Sequence, residues 1–360
     1  MRKSAVDLLK RLIATPSVSR DESGTAQLLF DELKARGADP MRHYNNIWAL
    51  AAPYDAGKPT LLLNSHHDTV KPSVAYTRDP FAPAEEDGAL FGLGSNDAGA
   101  SLVGLVETFF HFKGRELPFN LMLALTAEEE VTGEKGIRAM TALWENRNML
   151  PDWGIVGEPT GMDVAIGERG LVVLDCIARA RGGHAARSEG ENALYKALDD
   201  IAALRTVKFP RQSQLLGPIK VTVTQIEAGR QHNVLPEECR FVVDVRTTDA
   251  MTNEETVDYL KAQIGSEAVA RSTRIRASAI SSEHPLVRAA VNSGAATFVS
   301  PTTSDQSVLP MVQTIKIGIG RSERSHTPDE FVMIDEIEAG IERYITIINN
   351  FANEIVGQGL

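Results

Sequence analysis

The pattern of apolar and polar residues predicts alternating helices and strands in the first third of the chain. Apolar residues between positions 8 and 13 recur at the spacing of one helical face, and a second helix is predicted for residues 22–36, ended by Gly37. Short apolar runs typical of buried strands lie at residues 60–64, 119–125, 153–156 and 315–319. Helical patterns separate these runs, which predicts an α/β fold with a mainly parallel sheet.

The middle of the chain has a different rhythm. Strands are predicted at 171–180, 219–226, 240–246 and 273–280, with helices at 192–204 and 252–264. Thr252 and Glu255 form a capping box at the start of the second of these helices. The order β-α-β-β-α-β is typical of a ferredoxin-like α+β unit. We therefore predict a first domain formed by residues 1–168 and 282–360, with residues 169–281 inserted as a second domain.

Composition narrows the class of protein. The 360 residues suffice for two domains, and 43% hydrophobic and 24% charged residues are ordinary globular values. A net charge of -11 argues against nucleic-acid binding. No apolar run reaches the roughly 20 residues that span a membrane, and the start of the chain lacks the apolar core of a signal peptide. The two cysteines, Cys176 and Cys239, predict no disulfide framework and favour a reducing cytoplasm.

Acidic residues and histidines follow the predicted strands of the first domain. In open α/β sheets, ligands gather beyond the carboxyl ends of the strands. Four of these ends supply a candidate ligand, and a glycine-rich loop supplies a fifth. The candidates are His66, the Glu129–Glu130 pair, Glu158, His326 and, from the loop, Asp97.

Two histidines and three carboxylates suit a pair of Zn²⁺ ions. Metals about 3.5–4 Å apart need a bridging carboxylate, and a further carboxylate can take a proton from the water between them. Glu129 and Glu130 could divide the tasks of base and ligand. Asp68, two residues after His66, is a candidate to orient that histidine through its other ring nitrogen. A run of glutamates alone is usually a solvated surface, and His67 is expected to be structural or merely exposed. Five such placements together nevertheless favour a metal site.

These residues resemble the motifs of the M20 metallopeptidase family, in family order across nearly the whole chain. The matching segments have the sequences HHDTV at 66–70, GLGSND at 92–97, AEEE at 127–130, GEPT at 157–160 and SHTPDE at 325–330. The resemblance implies that Asp97 bridges two Zn²⁺ ions, for which Co²⁺ is an alternative. His66 and Glu158 would complete one site, and Glu130 and His326 the other. Glu129 would be the general base, and Asp68 would orient His66.

The resemblance also gives roles to the inserted unit, which would be the family's lid and dimerisation domain. His184 would reach the site of the partner subunit in a homodimer and stabilise the oxyanion. Asn233 and Arg246 match lid motifs and are candidates for binding the substrate, as are Arg169 and Thr303. The implied fold is a zinc-hydrolase catalytic domain with an inserted ferredoxin-like lid.

The expected activity is removal of an acyl group from a small N-acyl amino acid. The chain length and the Glu-Arg-Gly segment at 168–170 look most like acylornithine and acyllysine deacylases, which favours N-acetylornithine or a related arginine-biosynthesis intermediate such as N-acetyl- or N-succinyl-citrulline. Acyllysine, succinyl-diaminopimelate and dipeptides remain alternatives. A catalytically silent metal-binding dimer is the alternative from another class, and the retention of Glu129 and all five ligands argues against it.

Overall fold

A computed structural model describes residues 1–187 and 189–358. Its helices are α1 (Arg2–Ile13), α2 (Ser23–Ala35), α3 (Ala100–Phe112), α4 (Ile137–Asn146), α5 (Ala193–Thr206), α6 (Asn253–Lys261), α7 (Pro285–Asn292) and α8 (Ile334–Gln358). Its strands are β1 (Met41–His43), β2 (Asn46–Leu50), β3 (Thr60–His66), β4 (Ala84–Glu86), β5 (Ala89–Phe91), β6 (Asn120–Thr126), β7 (Trp153–Val156), β8 (Val164–Glu168), β9 (Gly170–Arg179), β10 (Gly183–His184), β11 (Lys220–Ala228), β12 (Val234–Leu235), β13 (Glu238–Thr247), β14 (Glu267–Ala270), β15 (Ser278–Ala279), β16 (Thr297–Ser300), β17 (Gln313–Lys316) and β18 (Phe331–Met333).

The chain separates into two compact units. The first comprises residues 1–167, 280–299 and 304–360, and the second comprises residues 168–279 and 300–303. The sequence boundaries at 169 and 281 lie within two residues of the divisions at 168 and 280. Among the described residues, no helix is both long and apolar enough to cross a membrane.

A mixed, mainly parallel sheet forms the centre of the first unit, which confirms the predicted α/β class. Its strand order is β1-β2-β6-β3-β7-β17-β8, and the neighbours β6-β3, β3-β7 and β7-β17 are parallel. Every residue of β3 and β6 is buried, as expected for parallel strands covered on both faces. Helix α3, with a mostly apolar sequence, is buried along almost its whole length. The burial of β3, β6 and α3 fixes the positions of the carboxyl ends of the two strands.

The second unit contains a four-stranded antiparallel sheet in the order β11-β13-β9-β14. Strands β9 and β13 alternate between buried and partly exposed residues, so one face of the sheet packs against α5 and α6. The predicted capping box is present in α6. Its Thr252 hydroxyl accepts the Glu255 N–H at 3.1 Å, and the Glu255 carboxylate accepts the Thr252 N–H at 2.8 Å. Apart from the two-residue strands β10, β12 and β15, the elements of this unit follow one another as β9-α5-β11-β13-α6-β14. That order is the connectivity of a ferredoxin-like unit.

One predicted strand is wrong in position. The strand expected at 273–280 does not complete this sheet, because residues 267–270 pair with β9 instead. The later segment forms only the two-residue strand β15 and a single bridge between Leu171 and Ile275. Helix α6 ends at Lys261, and only a short connection separates it from β14, which pairs with the edge of β9.

Candidate metal centre

Three parallel strands of the first unit end at the same edge and carry four of the candidate side chains. His66 is the last residue of β3 and is aligned with Thr126, the last residue of β6. The chain continues from Thr126 into a one-turn 3₁₀ segment that begins at Glu129. Strand β7 ends beside Asn64 of β3, two residues before Glu158. The parallel register therefore brings His66, both glutamates and Glu158 to one edge of the sheet.

Asp97 lies between the two histidines. Its Oδ1 is 3.3 Å from Nε2 of His66, and its Oδ2 is 3.7 Å from Nε2 of His326. On the first side, Oε1 of Glu158 is 3.7 Å from His66 Nε2. On the second side, both carboxylate oxygens of Glu130 lie 3.0–3.1 Å from His326 Nε2. One carboxylate thus faces two neighbouring histidine–glutamate pairs, which is the arrangement that a bridging ligand requires.

The buried ring of His66 is oriented from behind by Asp68. Nδ1 of His66 lies 3.0 Å from the main-chain carbonyl of Asp68 and 3.5 Å from its carboxylate. The carbonyl can only accept, so Nδ1 carries a proton and Nε2 is the ring nitrogen that faces Asp97. The carboxylate of Asp68 accepts the N–H groups of Glu129 and Glu130 at 3.1 and 3.2 Å. It therefore links the end of β3 to the segment that follows β6.

The three consecutive glutamates have different environments. Glu128 has a left-handed backbone conformation with φ of 58°, and its carboxylate accepts the Lys135 N–H at 3.1 Å. That conformation turns the chain so that Glu129 and Glu130 face the centre. Oε2 of Glu129 lies 3.9 Å from Nε2 of His66. Glu128 therefore shapes the turn, and its two successors are available for chemistry.

The cluster concentrates negative charge in a buried place. Burial raises the pKa of Glu158 to about 8, with a further contribution from Asp97. Burial also raises the pKa of Glu129 well above its usual range, and Glu158 adds to this effect. The pKa of His326 is raised to about 9, mainly by its hydrogen bond to Glu130. Carboxylates held together in this way need a compensating positive charge to remain ionised.

The donor set fits divalent metal ions. His66, Asp97 and Glu130 each offer a ligand atom, and these three atoms all lie within 4.8 Å of one another. Oε1 of Glu158 is buried and accepts no hydrogen bond from the described residues. A buried carboxylate oxygen without a donor is costly unless a cation meets it. Imidazole nitrogen with carboxylate oxygen is a ligand combination typical of Zn²⁺.

Several contributors were missed or only partly recognised in the sequence. Ser19 donates to Asp68 at 2.7 Å from a distant turn that no sequence motif marks. Asp305, two residues after Thr303, is buried and accepts from the Thr126 hydroxyl at 2.8 Å. Glu330 belongs to the recognised segment 325–330, but only the structure shows its contacts with the loop that carries Asp97. His67 is structural as expected, since its ring contacts Thr25 and the carbonyl of Asn45, both at 2.9 Å.

Five predicted residues belong to the second unit, and two of them are neighbours. His184 is aligned with Val234, and the carbonyl of Asn233 accepts the Ala185 N–H at 2.9 Å. His184 is exposed, and its Nδ1 accepts the Ala186 N–H at 3.1 Å, which leaves Nε2 as the protonated nitrogen of the neutral ring.

The other three residues differ in their availability. The guanidinium of Arg246 is held by both carboxylate oxygens of Asp244, at 2.8 and 3.1 Å. The guanidinium of Arg169 donates to the carbonyls of Leu216 and Pro218, so it supports the backbone of its own unit. Thr303 is partly exposed.

Comparison with known proteins identifies the family of the chain. The sequence profile of the Peptidase family M20/M25/M40 matches residues 62–350. The chain is 29% identical to a succinyl-diaminopimelate desuccinylase of Stenotrophomonas maltophilia (strain R551-3), over 93% of this chain and 96% of that protein.

Two solved structures show that the whole fold recurs. An aminopeptidase PepT from Bacillus cereus ATCC 10987 superposes with a TM-score of 0.77 at 18% identity, covering 98% of this chain and 99% of that one. The YXEP protein of Bacillus subtilis, described as a dinuclear metal binding peptidase, gives a TM-score of 0.71 at 13% identity, with 100% and 99% covered. At these identities the likeness concerns the fold.

Proposed function

The chain belongs to peptidase family M20/M25/M40, whose members are metal-dependent hydrolases acting on amides, and we propose that it removes the acyl group from a small N-acylated amino acid at a centre of two metal ions. The observation that carries this proposal is the position of Asp97, with one oxygen towards His66 and the other towards His326. Such a carboxylate offsets the repulsion between two closely spaced cations.

We propose Zn²⁺ as the metal, with Co²⁺ as the alternative. His66 and Glu158 would hold one ion and Glu130 and His326 the other, with Asp97 shared between them. Support comes from the nitrogen and oxygen ligand set and from the buried Oε1 of Glu158, which accepts no hydrogen bond from any residue that the structure describes. When bound, the two ions would polarise the amide carbonyl and lower the pKa of the attacking water.

Glu129 is the proposed general base. It takes a proton from the attacking water and then donates it to the nitrogen of the leaving amine, so that the products are a free carboxylate and an amine. Burial raises the pKa of Glu129, which makes its carboxylate a stronger base towards the water proton. The Asp68 carboxylate holds the N–H of Glu129 and so keeps the base beside His66.

The second unit is proposed as a lid through which two chains form a homodimer. In that dimer, His184 would act at the centre of the other subunit and donate from Nε2 to the oxyanion that forms from the amide carbonyl. The exposed ring and the contact between Nδ1 and Ala186 support this role, since they leave the required donor free to point outward. Asn233 lies beside His184, and Arg246 is proposed to bind the substrate carboxylate. The contacts of Arg169 with its own unit make it a weaker candidate.

For the acyl group, succinyl now ranks first. The curated relative that aligns over nearly the whole chain is named for succinyl-diaminopimelate, whereas N-acetylornithine was favoured only by chain length and the 168–170 segment. We therefore propose N-succinyl-diaminopimelate as the leading substrate and N-acetylornithine as the second. The acylated citrullines, acyllysine and dipeptides follow. A cytoplasmic location stays a prediction from the cysteine content.

A substrate panel tests the proposal. The purified protein is loaded with Zn²⁺, and amine release is measured from each of these compounds, with the Glu129→Gln variant as the control for contaminating hydrolases. We expect kcat/KM for one succinylated or acetylated compound to exceed the others by at least an order of magnitude, since the polar groups of a binding site go unpaired with a wrong substrate. Bound metal without turnover of any compound would instead support the silent metal-binding dimer.

A further inference from the structure

The loop that carries Asp97 is held from behind by a second glutamate. Oε1 of Glu330 accepts the N–H groups of Asn96 and Asp97, both at 2.8 Å, and Oε2 accepts the Gly94 N–H at 3.1 Å. The Glu330 residue is only 2% exposed. Three hydrogen bonds from one short loop therefore converge on one buried carboxylate. One of them comes from Asp97, whose side chain is the proposed bridging ligand.

Backbone pairing fixes Glu330 in this position. Strand β18 begins at the next residue and pairs antiparallel with β5, with Phe331 aligned to Phe91. The carbonyl of Glu330 also accepts the Gly92 N–H at 3.0 Å, directly after β5 ends. The start of the 92–97 loop and Glu330 are thus parts of one ladder. From this position the Glu330 carboxylate accepts the N–H groups of Gly94, Asn96 and Asp97 in the rest of the loop.

The same short segment also carries a candidate ligand. His326 lies four residues before Glu330, and its ring contacts Glu130 at 3.0 Å. Consequently, the segment 326–330 contributes a candidate ligand at one end and holds the backbone of Asp97 at the other. A shift of Glu330 would change the position of Asp97 relative to both histidines.

We propose that Glu330 is a positioning residue for the metal centre, which sets the orientation of Asp97 by binding the backbone of its loop and so controls the affinity of both metal ions. The inference rests on the proposed two-metal function. It assigns no contact between Glu330 and the metals or the substrate. The closest precedent in chemistry is a buried partner that orients a ligand from outside the coordination sphere, whose loss weakens metal binding without removing a ligand.

Two substitutions separate the parts of this role. In Glu330→Gln, the remaining carbonyl oxygen can still accept from Asn96 and Asp97, while the new amide group would face the Gly94 N–H. In Glu330→Leu, all three N–H groups lose their acceptor. The control is Glu107→Gln, which removes another buried carboxylate of the first unit, one that binds Arg36 at 2.7 and 3.1 Å and contacts no candidate ligand.

The measurement is the dissociation constant and stoichiometry of Zn²⁺, obtained by competition with a chromophoric chelator, together with thermal unfolding of the metal-free proteins. We expect Glu330→Leu to weaken Zn²⁺ binding by on the order of 10–100-fold, with Glu330→Gln between it and the wild type. Glu107→Gln should lose thermal stability but keep the wild-type dissociation constant. A purely structural role for Glu330 would give the same result as this control.

The outcomes are distinct. Wild-type Zn²⁺ affinity in folded Glu330→Leu overturns the inference and leaves the two-metal function intact. If Glu330→Leu does not fold by circular dichroism, Glu330→Gln decides, because unchanged affinity there also overturns the inference. If the wild type itself binds no metal, the proposed function fails first.

Discussion

The carboxylate of Asp68 binds the backbone of Glu129, with Oδ1 of Asp68 accepting its N–H at 3.1 Å. Oδ2 accepts the next N–H, from Glu130, at 3.2 Å, and the carbonyl of Asp68 lies 3.0 Å from Nδ1 of His66. Asp68 therefore orients the proposed ligand His66 at the end of β3. It also orients the proposed base Glu129 and the proposed ligand Glu130, which follow β6. Its importance lies in the alignment of these groups with one another.

Asp68→Asn should lower kcat/KM by about 10–100-fold, the usual cost of losing a partner that orients a ligand. Asparagine keeps one acceptor oxygen, but its amide group would confront an N–H donor of Glu129 or Glu130. Steady-state kinetics with metal analysis checks this. The matched control is Ser19→Ala, which removes a 2.7 Å hydrogen bond to the same carboxylate and leaves the two backbone contacts in place. Asp68→Asn with the kinetics of the control would contradict this role.

Removal of metal should lower the melting temperature. Burial raises the pKa values of Glu158 and Glu129, which indicates that the metal-free centre holds its carboxylates together at a cost. Zn²⁺ that binds only the folded state adds about 2.7 kcal/mol at a free concentration of 100 times its dissociation constant. Calorimetry with a chelator and with excess Zn²⁺ measures the difference. The His326→Ala variant should show a smaller shift, and equal melting temperatures for the wild type in both conditions would argue against a metal centre.

The proposed exchange of His184 between subunits predicts complementation. His184→Ala and Glu129→Gln should each be nearly inactive alone. After the two are mixed at equal amounts and allowed to exchange subunits, half of the dimers are hybrids with one intact centre, so about a quarter of wild-type activity should return. Recovery is followed by amine release, and hybrid formation by mass spectrometry. Hybrids that form without recovery would place His184 at its own centre, and a His184→Ala variant that is active alone would exclude it from any centre.

Most of the candidate metal centre could be predicted because its residues follow strands. Parallel neighbours end at one edge of the sheet, so the apolar runs before His66 and Glu158 were sufficient to bring these residues together. Asp97 is different, since it lies on a loop whose course depends on backbone hydrogen bonds to Glu330, more than 200 positions away. Local sequence patterns carry no information on such a contact. They mark Asp97 only as a candidate in a glycine-rich loop, and its bridging role comes from the family resemblance.

The misplaced strand of the second unit has a similar cause. Residues 273–280 alternate in a way that predicts a strand, and the segment 267–270 is too short to compete on pattern alone. Hydrophobic periodicity describes which face of a strand is buried but not which segment reaches the free edge of β9. The short connection after α6 favours the pairing of residues 267–270 with that edge. The length of a connection becomes informative only when the partner strand is known.

Glu129 is proposed to transfer the proton at a two-metal centre. The most direct test of this role is the Glu129→Gln variant, loaded with metal and assayed on the best substrate of the panel. We predict two metal ions per chain, as in the wild type, and a kcat lowered by about 10²–10⁴-fold. A variant that keeps both ions and near-normal kcat would contradict the account.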